Sequence, residues 1–313
     1  MKDDFAREIR YLRLSVTDLC NYRCQYCMPP QGIQKQAHGS ILSVEECIEM
    51  ARAAVALGID KIRITGGEPL VRRGILDICR GIGALPGLKE LCLTTNGALL
   101  QKFALPLLDA GVQRLNISLD TLRPDRFAAI TRGGDLNAVR AGLDAAREAG
   151  FTNIKLNTVL IGGFNVDEIA DFIQITREIP LQVRFIELMP LGECAQWEAA
   201  RFVPADAVLT ACPALTLEGQ SGVSALYRVP GYAGTVGLIR PLSGSFCHLC
   251  NRIRITADGK LKPCLHSALE IPLRSLQGAQ LEEAMRAGIL RKPRQHHLEN
   301  GSDAGRAMHQ IGG

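Results

Sequence analysis

Residues 11–30 read YLRLSVTDLCNYRCQYCMPP. The stretch opens as an extended, alternating segment at 12–16 and runs straight into a loop that carries Cys20, Cys24 and Cys27. Three residues separate the first pair and two the second. A structural zinc site takes four ligands, normally in two matched pairs. Thiolates in a short, close run are instead how iron–sulfur clusters are held. Three thiolates on one loop can ligate three irons of a 4Fe–4S cube and leave the fourth open to another ligand. An open position marks a catalytic metal centre rather than a closed structural one. The bland alternative is three buried free cysteines, a common fate of that residue, but so many on one loop-like stretch are hard to assign to packing.

Outward from this loop the chain repeats a strand and a helix. Residues 43–58, SVEECIEMARAAVALG, read as a helix with Ser43 as N-cap, Glu46 at the capping-box position and Gly58 as the stop. Strands are expected at 61–65, 88–94, 112–119, 154–160 and 182–187, and helices at 72–82, 99–110, 137–149 and 166–178. Such alternation with short connections is the pattern of parallel βαβ units. Polar residues gather at the strand ends: 65–68, 94–96, 118–120, Asn157 and Glu187. A site built from many strand ends is the barrel pattern, whereas a doubly wound sheet concentrates its site in one crevice. Six units fall short of eight, so the expected fold is α/β, an incomplete (βα)6 TIM-type barrel. After Pro190 the regularity fades. A short helix at 204–210, turns and antiparallel strands across 223–262 around an Asp258-Gly259 turn, and helices at 272–287 and 296–308 are expected. The chain divides on this reading into 1–215, the partial barrel, and 216–313, a C-terminal segment.

Composition narrows the class. The 313 residues are 47% hydrophobic, enough for a substantial core. The net charge of +4, from 36 basic and 32 acidic side chains, is too mild for a nucleic-acid coat but allows a local cationic pocket. The sequence has no apolar run long enough for a membrane span, and MKDDFAREIR is too charged for a secretory signal. Eleven cysteines without an evident disulfide framework suit a reducing, cytoplasmic setting.

A second trio, Cys247, Cys250 and Cys264, spans the expected hairpin, whose return brings distant ligands together. Two readings stay open on these residues: a zinc site completed by His248 or His266, or a second 4Fe–4S cluster. Cys47, Cys79, Cys92, Cys194 and Cys212 are isolated and read as core or incidental. Basic residues recur on the strands: Arg13, Lys61 and Arg63, Lys155, Arg184, then Arg252 and Arg254. Cations in a barrel are costly unless paired or solvated. The set therefore suggests a lumen that holds an anion, against the alternative of ion pairs with Asp18, Glu68, Asp120 and Glu187. The GGEP run at 66–69 lacks the form of a phosphate loop; its glycines allow close approach of the backbone, or a plain turn. The terminal Gly312-Gly313 alone reads as a flexible end.

The Cys-x3-Cys-x2-Cys loop resembles the signature of the radical S-adenosylmethionine (SAM) enzymes. With RITGGEPL, TTNG, ISLD, RFIELMP, FCHLCNRIRITADGKLKPCL and the final IGG, nearly the whole chain is similar to the GTP 3′,8-cyclase family of molybdenum cofactor biosynthesis. Small departures are His266, where an aromatic residue is common, and His309 near the tail. The resemblance implies a barrel closed by the C-terminal segment. It implies a SAM-binding 4Fe–4S cluster on Cys20, Cys24 and Cys27, and a second 4Fe–4S cluster on Cys247, Cys250 and Cys264 whose open iron binds guanine. It implies a 5′-deoxyadenosyl radical that takes hydrogen from ribose C3′, after which C3′ attacks C8. The implied product is (8S)-3′,8-cyclo-7,8-dihydroguanosine 5′-triphosphate, passed to a cyclic pyranopterin monophosphate synthase. By motif, Tyr26, Gly67, Ser118 and Met189 would contact SAM. Arg13, Lys61, Arg63, Thr94, Lys155, Arg184, Arg252 and Arg254 would contact GTP, and Gly312 and Gly313 would reach into the site. An external electron donor is implied, no nucleic-acid or membrane partner is, and a homodimer is left open. Rival readings are a radical SAM enzyme with an auxiliary cluster acting on a peptide, and a metal-stabilised binding module without catalysis.

Overall fold

Along the first strand, Tyr11–Ser15 (β1), polar and apolar residues alternate, and that alternation sets the architecture. Leu12 and Leu14 are fully buried on one face, while Tyr11, Arg13 and Ser15 share the other. The same parity runs through Lys61–Thr65 (β2), Glu90–Thr95 (β3), Arg114–Ser118 (β4), Ile154–Leu160 (β5) and Gln182–Glu187 (β6). These six strands pair parallel in chain order. The apolar face (Ile62, Ile64, Leu91, Leu93, Leu115, Ile117, Val183, Phe185) is sealed from solvent. Each such side chain contributes about 1.5–3 kcal/mol on burial. The opposite face lines a polar lumen. The computed structural model describes residues 1–33, 38–296, 298 and 305–312.

Helices link the strands: Val44–Ala56 (α1), Ile75–Gly83 (α2), Leu100–Asp109 (α3), Pro124–Thr131 (α4), Leu136–Glu148 (α5) and Ile169–Ile175 (α6). The expected capping box of α1 is present: the Glu46 N–H donates to Ser43 Oγ at 3.1 Å, and the Ser43 N–H donates to Glu46 Oε2 at 2.7 Å. The α4 helix was not expected. Pro124 opens it, because proline fits a first turn where its missing N–H is not needed.

The C-terminal half departs from the expectation most. Ala207–Ala211 (α7) is followed by Thr216–Ser221 (β7), Ser224–Arg228 (β8) and Thr235–Ile239 (β9), then Arg252–Ile255 (β10), Lys260–Lys262 (β11) and Ile271–Pro272 (β12). The β7–β8–β9 and β10–β11–β12 runs are antiparallel, as the turns suggested. Yet β9 lies parallel to β6, and β10 lies parallel to β1. The sheet order is β12-β11-β10-β1-β2-β3-β4-β5-β6-β9-β8-β7. Eight consecutive strands, from β10 to β9, are therefore parallel, two of them supplied from beyond Pro190. The barrel is partial, with antiparallel flaps at both margins. The clue was in the residues: RIRI of β10 repeats the parity of YLRLS and KIRIT. The last helices are Gly278–Leu290 (α8) and Met308–Ile311 (α9). The expected start at 272 fails because Ile271 and Pro272 pair with β11. Most of the expected 296–308 helix lies outside the described residues. Among those described, no helix is long and apolar enough to cross a membrane.

Candidate active site

At the C-terminal ends of β1 and β2 the cysteine loop is stitched to the GGEP turn. The Gly67 N–H donates to Thr17 O at 2.7 Å, and the Glu68 N–H to Leu19 O at 2.8 Å. A Cβ on Gly67 would stand 2.4 Å from Leu19 O, and one on Gly66 2.5 Å from Thr17 O. Only glycine permits this approach. Glu68 is buried and accepts from Leu70 N (3.0 Å), Thr95 Oγ1 (2.7 Å) and Asn96 N (2.7 Å), so it ties GGEP to TTNG. Burial, partly offset by these donors, pushes its carboxyl up to about 7. Asn96 Nδ2 in turn lies 3.8 Å from Cys20 Sγ, and the Tyr22 N–H lies 3.3 Å from the same sulfur. Tyr26 Oη donates to Asp120 Oδ2 at 2.6 Å, joining the loop to the end of β4.

The three thiols sense one another. Burial is the main cause that lifts Cys20 to about 11, Cys27 to about 12 and Cys24 well above the ordinary thiol range; repulsion within the trio adds to it at Cys24 and Cys27, and Glu68 adds to it at Cys20. Buried thiolates need a nearby positive group, which a metal cluster supplies. Among the described residues no three His, Cys, Asp or Glu side chains converge on the position of a single ion. The thiolates of a 4Fe–4S cube each bind a different iron and do not converge, so a free, half-buried, mutually coupled trio fits that group.

The lumen is basic. In register across the sheet stand Arg254, Arg13, Arg63 and Cys92, and next to them Asn116, Lys155 and Gln182. Lys155 on β5 is repelled by Lys61 and Arg63 on β2, which only a shared interior allows. Burial first, then Arg184, Arg114, Lys61 and Arg63, drives the Lys155 amine down to about 6. Burial, with Arg63 as the main repelling charge, lowers Arg184 to about 9; burial, with Arg252, lowers Arg254 to about 10. Arg13 is lowered by burial and by Arg254.

The partners of these cations are mostly neutral. Arg63 bonds Tyr11 Oη and Thr94 Oγ1 (3.2 Å); Lys155 and Arg184 both donate to Gln182 Oε1, at 2.9 and 2.6 Å. Lys61, Arg63 and Arg252 surround the Tyr11 ring at 5.3, 5.7 and 5.9 Å. Glu90 ion-pairs with Lys61 and Arg114 at the base. Among the described residues three of the carboxylates considered from sequence bond elsewhere: Glu68 serves TTNG, Asp120 serves Tyr26 and Val159, and Glu187 accepts from Ala205, Leu242 and Ser243. Asp18 faces Asp258 and Arg306 instead. The Oδ1 atoms of Asn116 and Asn157 are buried without a hydrogen-bond partner among the described residues. The lumen thus holds repelling cations and open polar atoms.

The second trio sits at the opposite end of the lumen, beside the N-terminal end of β10. Cys247 begins a 3-10 turn, Cys250 precedes β10, and Cys264 follows β11, so the hairpin does return the chain as expected. Arg7 donates to Cys247 O (3.0 Å) and Arg294 O (3.0 Å), and Lys292 Nζ to Arg252 O (2.8 Å) and Pro263 O (2.7 Å). Burial raises the Cys250 thiol, but Lys292 and Arg252 outweigh it and leave it lowered. Arg254 is coupled to both Cys250 and Cys264. His266 meets His296, not a cysteine, at 4.9 Å between ring centroids. Three free thiols around cationic side chains fit a cluster of net negative charge.

The tail is not a loose end. Gly312 O accepts from Arg254 Nη1 at 2.6 Å, and a Cβ there would lie 2.8 Å from Thr65 Cγ2. Gly313 lies outside the described residues. Of the remaining expected residues, Ser118 closes β4 opposite Asn157, Thr94 reaches Arg63, and Met189 follows β6, where its carbonyl meets Cys194 Sγ at 3.1 Å. Sequence reasoning missed Tyr11, Arg114, Asn116 and Gln182, although their parity with Arg13, Lys155 and Arg184 marks them as lumen-facing. It also missed Lys292, for which no local signal exists.

Comparison with known proteins adds independent findings. Residues 14–175 match the family model described as Radical SAM superfamily, and residues 181–298 the model described as Molybdenum Cofactor Synthesis C. The chain is 52% identical to the GTP 3′,8-cyclase of Peptoclostridium acidaminophilum, covering 99% of this chain and 98% of that one. It is 48% identical to the enzyme of the same name from Alkaliphilus metalliredigens (strain QYMF), with both chains fully covered. Streptococcus suis SuiB shares the fold at a TM-score of 0.59 and 12% identity, over 93% of this chain and 74% of that one.

Proposed function

The chain belongs to the GTP 3′,8-cyclase family of the radical SAM superfamily, and from that membership we propose how its residues divide the reaction. The activity is the radical SAM conversion of GTP to (8S)-3′,8-cyclo-7,8-dihydroguanosine 5′-triphosphate, the first step of molybdenum cofactor biosynthesis. Cys20, Cys24 and Cys27 would hold the SAM-binding 4Fe–4S cluster, and Cys247, Cys250 and Cys264 a second. When bound and reduced by an external donor, the first cluster supplies a 5′-deoxyadenosyl radical from SAM. The chain's own side chains orient and shield rather than carry acid–base chemistry. Gly67 sets the cysteine loop at the strand ends, while Tyr26, Ser118 and Met189 line the SAM side. Lys61, Arg63, Lys155 and Arg184 neutralise the triphosphate deeper in the lumen, and Arg13, Thr94, Arg252 and Arg254 hold GTP toward the second trio. Residues 1–215 supply the radical SAM core of the partial barrel, and 216–313 add its two outer parallel strands and the substrate-side trio. The product leaves for a cyclic pyranopterin monophosphate synthase, in the cytoplasm.

The observation that carries this reading is the lumen between the two cysteine sets. Its cations repel one another, are buried and bond mainly neutral partners, so a buried polyanion is what completes it. A peptide substrate would have no use for that set. The test is anaerobic reconstitution with iron and sulfide, then turnover with reductant, SAM and either GTP or ATP, read by mass spectrometry. The reading expects 5′-deoxyadenosine and a cyclised nucleotide from GTP. Absence of 5′-deoxyadenosine refutes the cofactor assignment, and 5′-deoxyadenosine without cyclised GTP refutes the substrate.

A further inference from the structure

The described tail, residues 305–312, carries one arginine, and that side chain is held by three hydrogen bonds. Arg306 Nε and Nη2 grip Glu270 at 2.5 and 2.9 Å, and Nη2 also meets Asp258 Oδ2 at 2.8 Å. The Arg306 side chain is only 13% exposed. A planar fork on a carboxylate fixes direction as well as distance. Its two anchors are not incidental: Asp258 is the turn residue of the β10–β11 hairpin, the strand pair that carries Arg252 and Arg254. Glu270 leads into β12 and also takes Lys260 and Lys262.

From Arg306 to Gly312 the chain is tied down by successive contacts. The Gln310 side chain accepts from the Ala307 N–H at 3.1 Å, α9 makes one turn, and His309 Nδ1 meets Cys27 O at 3.1 Å. The next residues are Ile311, almost fully buried, and Gly312, whose carbonyl lies on Arg254. The strap therefore touches the first cysteine loop, the hairpin of the second trio and the lumen arginine between them.

We propose that Arg306 is a positioning residue for the cyclisation: its fork on Asp258 and Glu270 anchors the C-terminal strap to the β10–β11 hairpin, so that Gly312 O is delivered onto Arg254 and the substrate arginine is held in one orientation. The inference rests on Arg254 being a GTP contact, as proposed above. Without the anchor, α9 is too short to persist alone and Arg254 keeps only its lumen neighbours. GTP and SAM then still enter, but the nucleotide is less well placed against the radical, and misplacement lowers turnover more than binding.

The test uses the reconstituted full chain and the variants Arg306→Ala, Arg306→Lys and Asp258→Asn. Amide hydrogen exchange over residues 307–312 should quicken by about tenfold or more in Arg306→Ala, with barrel strands unchanged and iron and sulfide content at wild-type levels. In the same variant kcat for cyclisation should fall about tenfold or more while KM for GTP moves little, and uncoupled 5′-deoxyadenosine should rise. Arg306→Lys and Asp258→Asn should fall between. Unchanged exchange at 307–312 in Arg306→Ala overturns the anchor. Faster exchange with kcat and coupling intact overturns its positioning role. Exchange faster throughout the barrel assigns Arg306 to global stability instead. The exchange arm needs no turnover, so a wild-type chain that fails to cyclise GTP would refute the activity reading while the anchor is still judged.

Discussion

Lys155 offers the sharpest quantitative test, because burial among like charges disfavours its proton. Burial and the nearby Arg184, Arg114, Lys61 and Arg63 hold its amine at about 6, against an ordinary value near 10. At pH 8 the free protein then carries a neutral lysine, and protonating it costs roughly 3 kcal/mol, since pH 8 lies about two pH units above that value. A triphosphate brought into the lumen reverses the sign of the local field and restores the charge. GTP binding at pH 8 should therefore take up about one proton, and affinity should fall by up to about tenfold per pH unit above neutrality. Arg184 at about 9 and Arg254 at about 10 stay largely protonated at pH 8 and add little to the proton count there. The terminal phosphate is already ionised at this pH, so it contributes little. The assay is anaerobic calorimetry in buffers of different ionisation enthalpy, where the slope of observed heat against that enthalpy counts protons. Wild type should give a slope near one proton, and Lys155→Met a slope near zero with weaker binding. A flat wild-type plot, or an unchanged slope in the variant, refutes the account of the lumen. The stability sign follows the same logic. Between about pH 6 and pH 10 the unfolded chain binds more protons than the ligand-free fold, so stability of the free protein rises with pH across that window. Lys155→Met should flatten that rise.

Three further substitutions probe other parts of the site. Gly67→Ala drives a methyl to within 2.4 Å of Leu19 O; the cysteine loop must shift, and iron and sulfide bound after reconstitution should fall well below wild type. Arg252→Ala should weaken GTP binding about tenfold or more while metal content stays intact, which binding and iron assays check together. Ser43→Ala removes the cap of α1 far from the lumen and should cost about 1 kcal/mol in urea denaturation with activity unchanged.

How much of this was legible in the residues differs by feature. The six βα units were readable because each strand repeats one parity: apolar toward the helices, polar toward the lumen. The cysteine trios were readable because their spacing is unusual. The placement of β9 and β10 was not, since parallel or antiparallel pairing depends on which edge is free, and no local preference encodes that. The α4 helix was missed because it is short and its apolar residues are few. Arg63 and Lys155 were identified, but their neutral partners, Tyr11 and Gln182, emerge only when strands far apart in sequence face each other. The carboxylates misled for the same reason. Glu68 and Asp120 looked like counter-ions, yet both sit at strand ends, where loop N–H and O–H groups reach them before any lumen cation can. The glycine tail read as flexible by composition, and its order comes from Arg306 and Arg254, contacts that span 36–58 residues of sequence.

The central claim is that a radical made at the Cys20–Cys24–Cys27 end acts on a nucleotide held by the cationic lumen. Turnover of GTP carrying deuterium at ribose C3′ tests it most directly. The account predicts that the label appears in 5′-deoxyadenosine, one mass unit heavier, together with a cyclised nucleotide that has lost it. Unlabelled 5′-deoxyadenosine formed alongside cyclised GTP would contradict it.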